Sequence, residues 1–574
     1  MAADIDLLIR GGSVVDGTGA PARTADIAIS DGHIVAIGKV EAAATRVIDA
    51  DGAMVTPGFV DVHTHYDGQA TWDERLQPSA QHGVTTVVMS NCGVGFAPVR
   101  RDHHEQLIEL MEGVEDIPGA ALHEGLAWDW ESFPEYLDAL ERRPHDIDFG
   151  TQVPHGALRL FVMGERGANR LPATAEEIAE MGRLAAEAIE AGALGFTTSR
   201  TLNHRTSRGE PTPTLTASRD ELVGIAAAIG RTGAGVLQVI SDFPDFDDEW
   251  TTLRAMMRTS DRPLSVSLSQ VAHSPTAYRT LLDLVSAAND EGLTMRAQVG
   301  SRAIGVLVGL TSSVNPVQPC PSYQAISHLP LDARVQRMAE PRTRSAILAE
   351  LIGDPRSLAT RLHRLYVLGD PPNYEPGPED SVGSAAARAG RADAPHETLY
   401  DLLLAGGGTN LLYLPIFNYV DGNLDAVAEM LAHPHTIPGL GDGGAHVGAI
   451  CDGSFPTTLI AHWGRDRTRG PRFEVPWLVR RQTHDTAEAL GLHDRGVLAA
   501  GFKADLHVID MDHLGLGLPR MVYDLPAGGK RLVQGATGYL HTIVAGTEIY
   551  RDGAATGQLP GRLVRGPQQP KEQA

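Results

Sequence analysis

Residues 55–98 read VTPGFVDVHTHYDGQATWDERLQPSAQHGVTTVVMSNCGVGFAP, and this stretch decides the fold. Residues 59–62 form a short apolar run after Pro57-Gly58, the pattern of a buried strand. His63 and His65 stand at its C-terminal end. Residues two apart on a strand share a face, so the two imidazoles project together, as two ligands of one metal ion must. Asp61 has the same parity and is a candidate to hold one ring through its second nitrogen. A second apolar run, 85–89, ends in Ser90-Asn91-Cys92-Gly93 and brings a thiol to a strand end as well. Two histidines at this spacing can be ordinary satisfied polar residues. Between a PGFVD strand and a strand that ends in cysteine, they read as metal ligands.

The chain has 574 residues, more than one ordinary domain, a length that a barrel with insertions absorbs. No apolar run is long enough to span a bilayer. Cysteine occurs only at 92, 320 and 451, which argues against a disulfide scaffold; Cys320 and Cys451 are read as structural. The N-terminal MAADIDLLIRGG has neither the cationic nor the apolar segment of an export signal, and cytoplasmic residence is expected. A net charge of -24 argues against nucleic acid as a partner, because phosphate binding needs a basic face. The expected partners are a small-molecule substrate and further copies of the chain in a homo-oligomer, with no membrane involved. Lysine occurs only at 39, 503, 530 and 571.

Residues 1–56 read as short alternating strands (7–10, 13–15, 26–29, 33–37 and 46–48) separated by Gly-Gly, Asp-Gly-Thr-Gly and Asp-Gly turns. The same character returns at 504–509 and 542–545. Neither end holds enough strands for its own core, so one small β-sandwich built from both termini is expected, with the middle inserted into it. That middle alternates strand and helix. Thr174 with Glu177 and Ser218 with Glu221 read as capping boxes ahead of apolar stripes, and Gly192 as a C-cap. Strand candidates are 59–63, 85–90, 147–153, 193–198, 235–241, 264–270, 293–299, 411–416 and 436–441. Repeated βα units of this kind point to a (β/α)8 barrel, and nine candidates mean that at least one lies outside it. The expected division is 1–56 (β-sandwich), 57–485 (barrel, with an insertion at about 325–400) and 486–574 (β-sandwich and polar tail). Within the insertion, 369–396 is rich in Pro, Gly and Ala and reads as an exposed loop, with a lid over the barrel mouth as the alternative.

Active sites of such barrels lie at the C-terminal strand ends. The ligating or ionisable residues there are His63, His65, Cys92, His155, Asp442, His204 and His273. Asp442, in LGDGGAH at 440–446, suits a general base beside a metal; the alternative is an ordinary Asp-Gly turn. Arg200, His204, Arg205 and Arg208 follow a strand and are candidates to bind a substrate carboxylate, a solvated basic loop being the alternative. His155 is a candidate to orient the substrate. Tyr66, Asp67 and Trp72 are candidates to line the mouth.

Four motifs carry a resemblance: PGFVDVHTHYD at 57–67, HGVTTVVMSNCGVGFAP at 82–98, GDGGAH at 441–446 and DRGVLAAGFKADLHVID at 494–510. With IRGGSVVDGTG at 9–19, they make the chain resemble the amidohydrolase superfamily, and within it the D-aminoacylase-like (N-acyl-D-amino-acid deacylase) branch. The resemblance implies a metal-bearing (β/α)8 barrel with a small β-sandwich from both termini, and hydrolysis of amide or related C–N bonds. Many members carry a metal-bridging carboxylated lysine on a barrel strand; no lysine lies between 40 and 502 here. In the branch, the cysteine of the NCG motif takes that place, and Cys92 matches it. The branch also supplies histidines from the fifth and sixth strands, where this chain reads GVLQVISD at 235–242 and VSLSQVAHS at 266–274. Gln238 or Ile240 and Gln270 stand nearest those positions, His273 serves only if the strand end is shifted, and the branch's substrate-binding lysine falls at Ala272.

The expected site is therefore His63, His65, Cys92 and Asp442 around zinc, one ion or two, since thiolate with imidazole favours zinc over magnesium. A zinc ion makes water nucleophilic near neutral pH, and Asp442 is the expected general base and acid. The leading expectation is an N-acyl-D-amino-acid deacylase-like hydrolase. A cyclic amidase of the hydantoinase or dihydropyrimidinase type and a non-catalytic binding protein on the same scaffold are the alternatives.

Overall fold

Met54–Pro57 pairs antiparallel with Leu506–Ile509, Leu506 opposite Pro57 and Ile509 opposite Met54, so the two ends of the chain meet in one sheet. The computed structural model describes residues 5–355 and 357–571. In it, Ile5–Val14, Arg23–Ser30, His33–Gly38, Ala44–Asp49 and Met54–Pro57 join four C-terminal strands in a nine-stranded sheet. Alternation buries Leu7, Ile9, Ile27, Ile29, Val55, Leu506, Val508 and Ile543 in one core. Ser30 pairs with His33 across Asp31-Gly32, both at positive φ, the two-residue turn that suits the twist of a hairpin. The Gly11-Gly12 pair, expected as a turn, is instead a bulge inside one continuous strand: the pairing register with Arg23–Ser30 shifts between Ile9 and Gly12.

Between these ends, eight parallel strands follow in chain order: Phe59–Asp61, Val84–Met89, Asp148–Thr151 continued by Val153–Pro154, Gly195–Arg200, Val236–Ser241, Leu264–Leu268, Met295–Val299 and Thr436–Pro438. The first three pair in one sheet, and the rest pair onward from Val153–Pro154 in another. Beyond the last strand the chain returns to the first. Thr64 bridges Gly443 in parallel, the His65 amide donates to the Gly443 carbonyl at 2.8 Å, and the Asp442 amide to that of His63 at 3.2 Å. The ninth candidate lies outside this series. Leu412–Phe417 runs antiparallel to both Ile304–Val308 and Tyr366–Val367. Both its edges are thereby taken, which leaves no ladder for a parallel neighbour.

Helix Ala175–Ala191 carries the full capping box of Thr174 and Glu177 and ends at Gly192 with φ 119°. The second box forms only by half. Ser218 accepts from the Glu221 amide, but the Glu221 carboxylate turns inward to His155 and Arg159.

The insertion has its own core, in which Val308, Tyr323, Met338, Ile347, Val382, Leu399 and Leu412 are buried together. The stretch 369–396 is not the exposed loop its composition suggested. It forms helix Val382–Arg388 and buries Tyr374 and Glu375. Glu375 accepts from Arg467 at 3.0 and 3.1 Å, contacts His462 at 2.9 Å and accepts from the Leu424 amide at 3.0 Å. Burial opposes its ionisation, but these partners outweigh burial and hold the carboxyl at about 2. The folded value lies below the unfolded one, so the stabilisation is present above about pH 4.5 and is lost as pH falls towards 2. Its size is on the order of 3 kcal/mol. Urea unfolding at pH 7 and pH 3 should therefore show Glu375→Gln destabilised at pH 7 and much closer to wild type at pH 3. Among the described residues, no helix is long and apolar enough to cross a membrane.

Candidate metal centre

His63 and His65, on the first strand's C-terminal extension, are both about 1 % exposed and face one point. Asp442 Oδ1 lies 3.4 Å from His63 Nε2 and 3.6 Å from His65 Nε2, and Cys92 Sγ lies 3.3 Å from His63 Nε2. The ligating atoms of His63, His65 and Cys92 all fall within 4.8 Å of one another. Around a tetrahedral zinc with bonds of about 2.0–2.3 Å, neighbouring ligand atoms stand roughly 3.3–3.8 Å apart. His63, His65 and Cys92 fit such an ion in chemistry and in spacing, and Asp442 stands beside both imidazoles.

Charge tells the same story. Burial pushes the His63 imidazole down to about 4 and the Cys92 thiol up to about 12. Burial also disfavours a His65 cation, yet Glu115 and Asp442 overcome it and hold this pKa well above the ordinary value. Asp442 is held well below the carboxylate range: burial opposes its ionisation, but His65, His63 and His446 prevail. A cluster that retains one positive charge among buried acceptors is a cluster built for a cation.

The backbone is bent to make this cage. Ser90 (φ 64°), Cys92 (φ 57°), Leu440 (φ 59°), Asp442 (φ 45°) and His446 (φ 47°) all sit in the left-handed region, which non-glycine residues occupy only when the surroundings over-determine them. Gly93 is needed for the Cys92 turn, since a Cβ there would lie 2.9 Å from Thr198 Cα. The Gly93 amide donates to Thr197 Oγ1 and the Cys92 amide to Gln238 Oε1, tying the thiol loop to the fourth and fifth strands.

Two residues absent from the sequence reading stand behind the rings, Gln298 hydrogen-bonded to one and Glu115 as an ion-pair partner of the other. Gln298, on the seventh strand, meets His63 Nδ1 with its Oε1 at 2.6 Å, and Glu115 Oε1 lies 3.3 Å from His65 Nδ1. Each leaves Nε2 free for a ligand bond. The other Glu115 oxygen lies 3.6 Å from His446 Nε2. Asp61 does not hold a ring; it accepts from the His63 amide at 3.1 Å. Parity put Asp61 on the right face, but it lies too near in the chain to reach around the imidazole. Strand-end position would have flagged Gln298. Glu115 ends helix His104–Glu115 in a long loop, and nothing in the local pattern announces it. Replacing Gln298 by methionine should weaken zinc binding about 10- to 100-fold, as for other ring-orienting partners, which a chelator competition titration measures.

The remaining candidates separate. His155 is fully buried with both nitrogens engaged, by Thr198 Oγ1 at 2.8 Å and Glu221 Oε1 at 2.9 Å, and has nothing left for a substrate. Arg200 is spent on Glu249 and the Ala217 carbonyl, and Arg205 is exposed and donates to the Gly209 carbonyl. Arg208 pairs with Glu109. His273 is exposed on the loop after the sixth strand. His204 lies beside the cage: Ser199 Oγ is 2.9 Å from its Nδ1, and burial with the neighbouring His446 and His65 pushes it down to about 3. Gln270 turns away to Asn418, Val420 and Asp421; it is Ser267 that meets Gln238. Tyr66 and Asp67 are buried in bonds to Ser79 and Ser90, and Trp72 packs on the Gly68 and Gly125 backbone. Cys320 and Cys451 are unpaired and buried in the two cores.

The sequence pattern of the amidohydrolase family matches residues 46–550. A D-aminoacylase of Alcaligenes xylosoxydans xylosoxydans is 27 % identical over 575 residues, covering 97 % of each chain. A D-aminoacylase structure concerned with a binuclear metal centre superposes with a TM-score of 0.64 at 24 % identity, over 98 % of this chain and 100 % of that one. An N-acyl-D-glutamate deacylase from Bordetella bronchiseptica, complexed with zinc and a phosphonate inhibitor that mimics the tetrahedral intermediate, also gives 0.64, at 23 % identity over 98 % and 100 %.

Proposed function

The chain belongs to the amidohydrolase family, and on that premise we propose that it is a zinc-dependent deacylase of N-acyl-D-amino acids, working at the mouth of a closed (β/α)8 barrel. One observation carries the reading: the ligating atoms of His63, His65 and Cys92 lie within 4.8 Å of one another, and Asp442 Oδ1 stands 3.4 and 3.6 Å from Nε2 of the two imidazoles. The substrate class rests on likeness to D-aminoacylase and N-acyl-D-glutamate deacylase over nearly the whole chain.

His63, His65, Cys92 and Asp442 would hold the zinc. A zinc ion there supplies Lewis acidity, making water nucleophilic near pH 7 and polarising an amide carbonyl. Asp442 does the proton work. Its carboxylate stays ionised because His65, His63 and His446 face it, so it accepts the proton of the attacking water and passes it to the departing nitrogen. Gln298 and Glu115 fix the two rings, and burial of His63, His65 and Cys92 keeps competing water away from the back of the cage. His204, at the edge of the cage, is the group that remains to meet the substrate.

Gln238 and Ser267 occupy the inner positions of the fifth and sixth strands, and neither is a usual zinc ligand. The donors present suffice for one ion. The test is a panel of N-acetyl-D-amino acids, N-acetyl-L-amino acids and cyclic amides offered to zinc-loaded protein. Turnover of the D series is expected; turnover confined to the L series or to cyclic amides would contradict the proposal.

A further inference from the structure

Glu115 and His446 stand side by side at the metal centre, and a distant part of the chain holds them there. Residues 515–537 rise from the terminal sheet as a two-stranded ribbon. Gly515–Leu516 pairs with Ala536–Thr537 at its base, and Arg520–Leu525 with Gly529–Val533 beyond. Among the described residues these strands pair only with each other, outside the nine-stranded sheet. A lone two-stranded hairpin is marginal in water, so the surface it rests on is what orders it.

That surface is the barrel mouth. Leu525, Ala121 and Val447 are all buried and form a small apolar core of their own, one residue from each of three elements. Ala121 belongs to helix Gly119–Gly125, which closely follows Glu115, and Val447 comes directly after His446. The Leu532 amide donates to the Val447 carbonyl at 2.6 Å, and Lys530 Nζ to the Thr311 carbonyl at 2.8 Å. Contact with the helix is as close: a Cβ on Gly529 would lie 3.3 Å from Ala121 Cβ, and one on Gly125 3.0 Å from Pro526 Cγ.

The two loops gripped in this way are the ones behind His65. Glu115 Oε1 lies 3.3 Å from His65 Nδ1, and Glu115 Oε2 lies 3.6 Å from His446 Nε2. The His446 amide also donates to the Glu115 carbonyl. Both loops are strained just there, with Asp116 at φ 49° and His446 at φ 47°. Such backbone persists only where the surroundings over-determine it, and Leu525 closes on both loops at once.

We propose that Leu525 is a positioning residue of the metal centre. Through Val447 and Ala121 it keeps His446 and Glu115 together, and Glu115 in turn fixes the His65 ring. This role rests on the zinc site proposed above.

Chelator competition for zinc, on full-length proteins matched by circular dichroism, tests it. Leu525→Ala, which empties the contact, should hold zinc about tenfold more weakly than wild type, the low end of what loss of a ring-orienting partner costs. Gly529→Val, which wedges the hairpin away from Ala121, should do the same from the other side. Leu525→Met, which refills the contact, should restore most of the affinity. Leu403→Ala, a comparable loss in the core of the insertion, should lower the melting temperature and leave zinc affinity unchanged. Zinc held by Leu525→Ala and Gly529→Val as tightly as by wild type, or weakened equally in Leu403→Ala, would overturn the role of Leu525 and leave the zinc site standing. Wild-type protein that binds no zinc would remove the zinc site itself, and this role with it.

Discussion

His63→Ala protein, dialysed against zinc and assayed on an N-acyl-D-amino acid, should hydrolyse it at least about 10³-fold more slowly than wild type. The figure follows from losing an ion that contributes several kcal/mol to the charge developing in the transition state, at 1.36 kcal/mol per factor of ten. The same variant should lose zinc to a chelator that leaves wild type loaded, because one of the three converging donors His63, His65 and Cys92 is gone and Gln298 has no ring to orient. Folding must be checked separately. His63 is buried beside the hydrogen bonds that join the first and last strands, so the two proteins should be matched by circular dichroism before rates are compared. A well-folded His63→Ala enzyme with full activity would remove the metal from the mechanism.

Asp442→Asn is expected to act differently. Asparagine keeps an oxygen where Asp442 Oδ1 stands, so zinc should stay bound, with the thiolate and both imidazoles intact. What it cannot do is take a proton. Loss of general base and acid catalysis costs about 10²- to 10⁴-fold, and it should fall on kcat rather than KM because the carboxylate works in the transition state. The diagnostic is the combination of equal zinc content and a kcat lowered by at least about 10²-fold. Equal zinc with unchanged kcat would move the proton work to another group, and His204 or Glu115 would be the places to look.

These two residues were legible in the sequence because strand periodicity and a glycine-flanked carboxylate at the last strand end both encode position. The same logic located Cys92 and the meeting of the two chain ends. It failed where contact depends on distance across the fold. His155 stands at a strand end as a site residue would, but its environment is set by Glu221, a residue that local pattern assigns to a helix cap and that the fold turns inward. Arg200 reads as a free carboxylate binder until Glu249, on the helix that follows the fifth strand, is brought against it. Leu412–Phe417 reads as one more barrel strand because an apolar run does not specify its neighbour, and only the antiparallel pairs with Ile304–Val308 and Tyr366–Val367 exclude it. Glu115 and Gln298 escaped notice because what marks them is their contact with His65 and His63 across the fold, and that is a property of pairs.

The proposed zinc takes nitrogen and sulfur ligands from one short stretch of chain, His63 to Cys92. X-ray absorption at the zinc edge of the reconstituted wild-type protein tests it most directly. One zinc per chain is expected, with a single sulfur at about 2.3 Å and nitrogen or oxygen neighbours at about 2.0–2.2 Å, and with the sulfur shell absent in Cys92→Ser. A zinc shell without sulfur in wild type, or protein that retains no zinc, would contradict it.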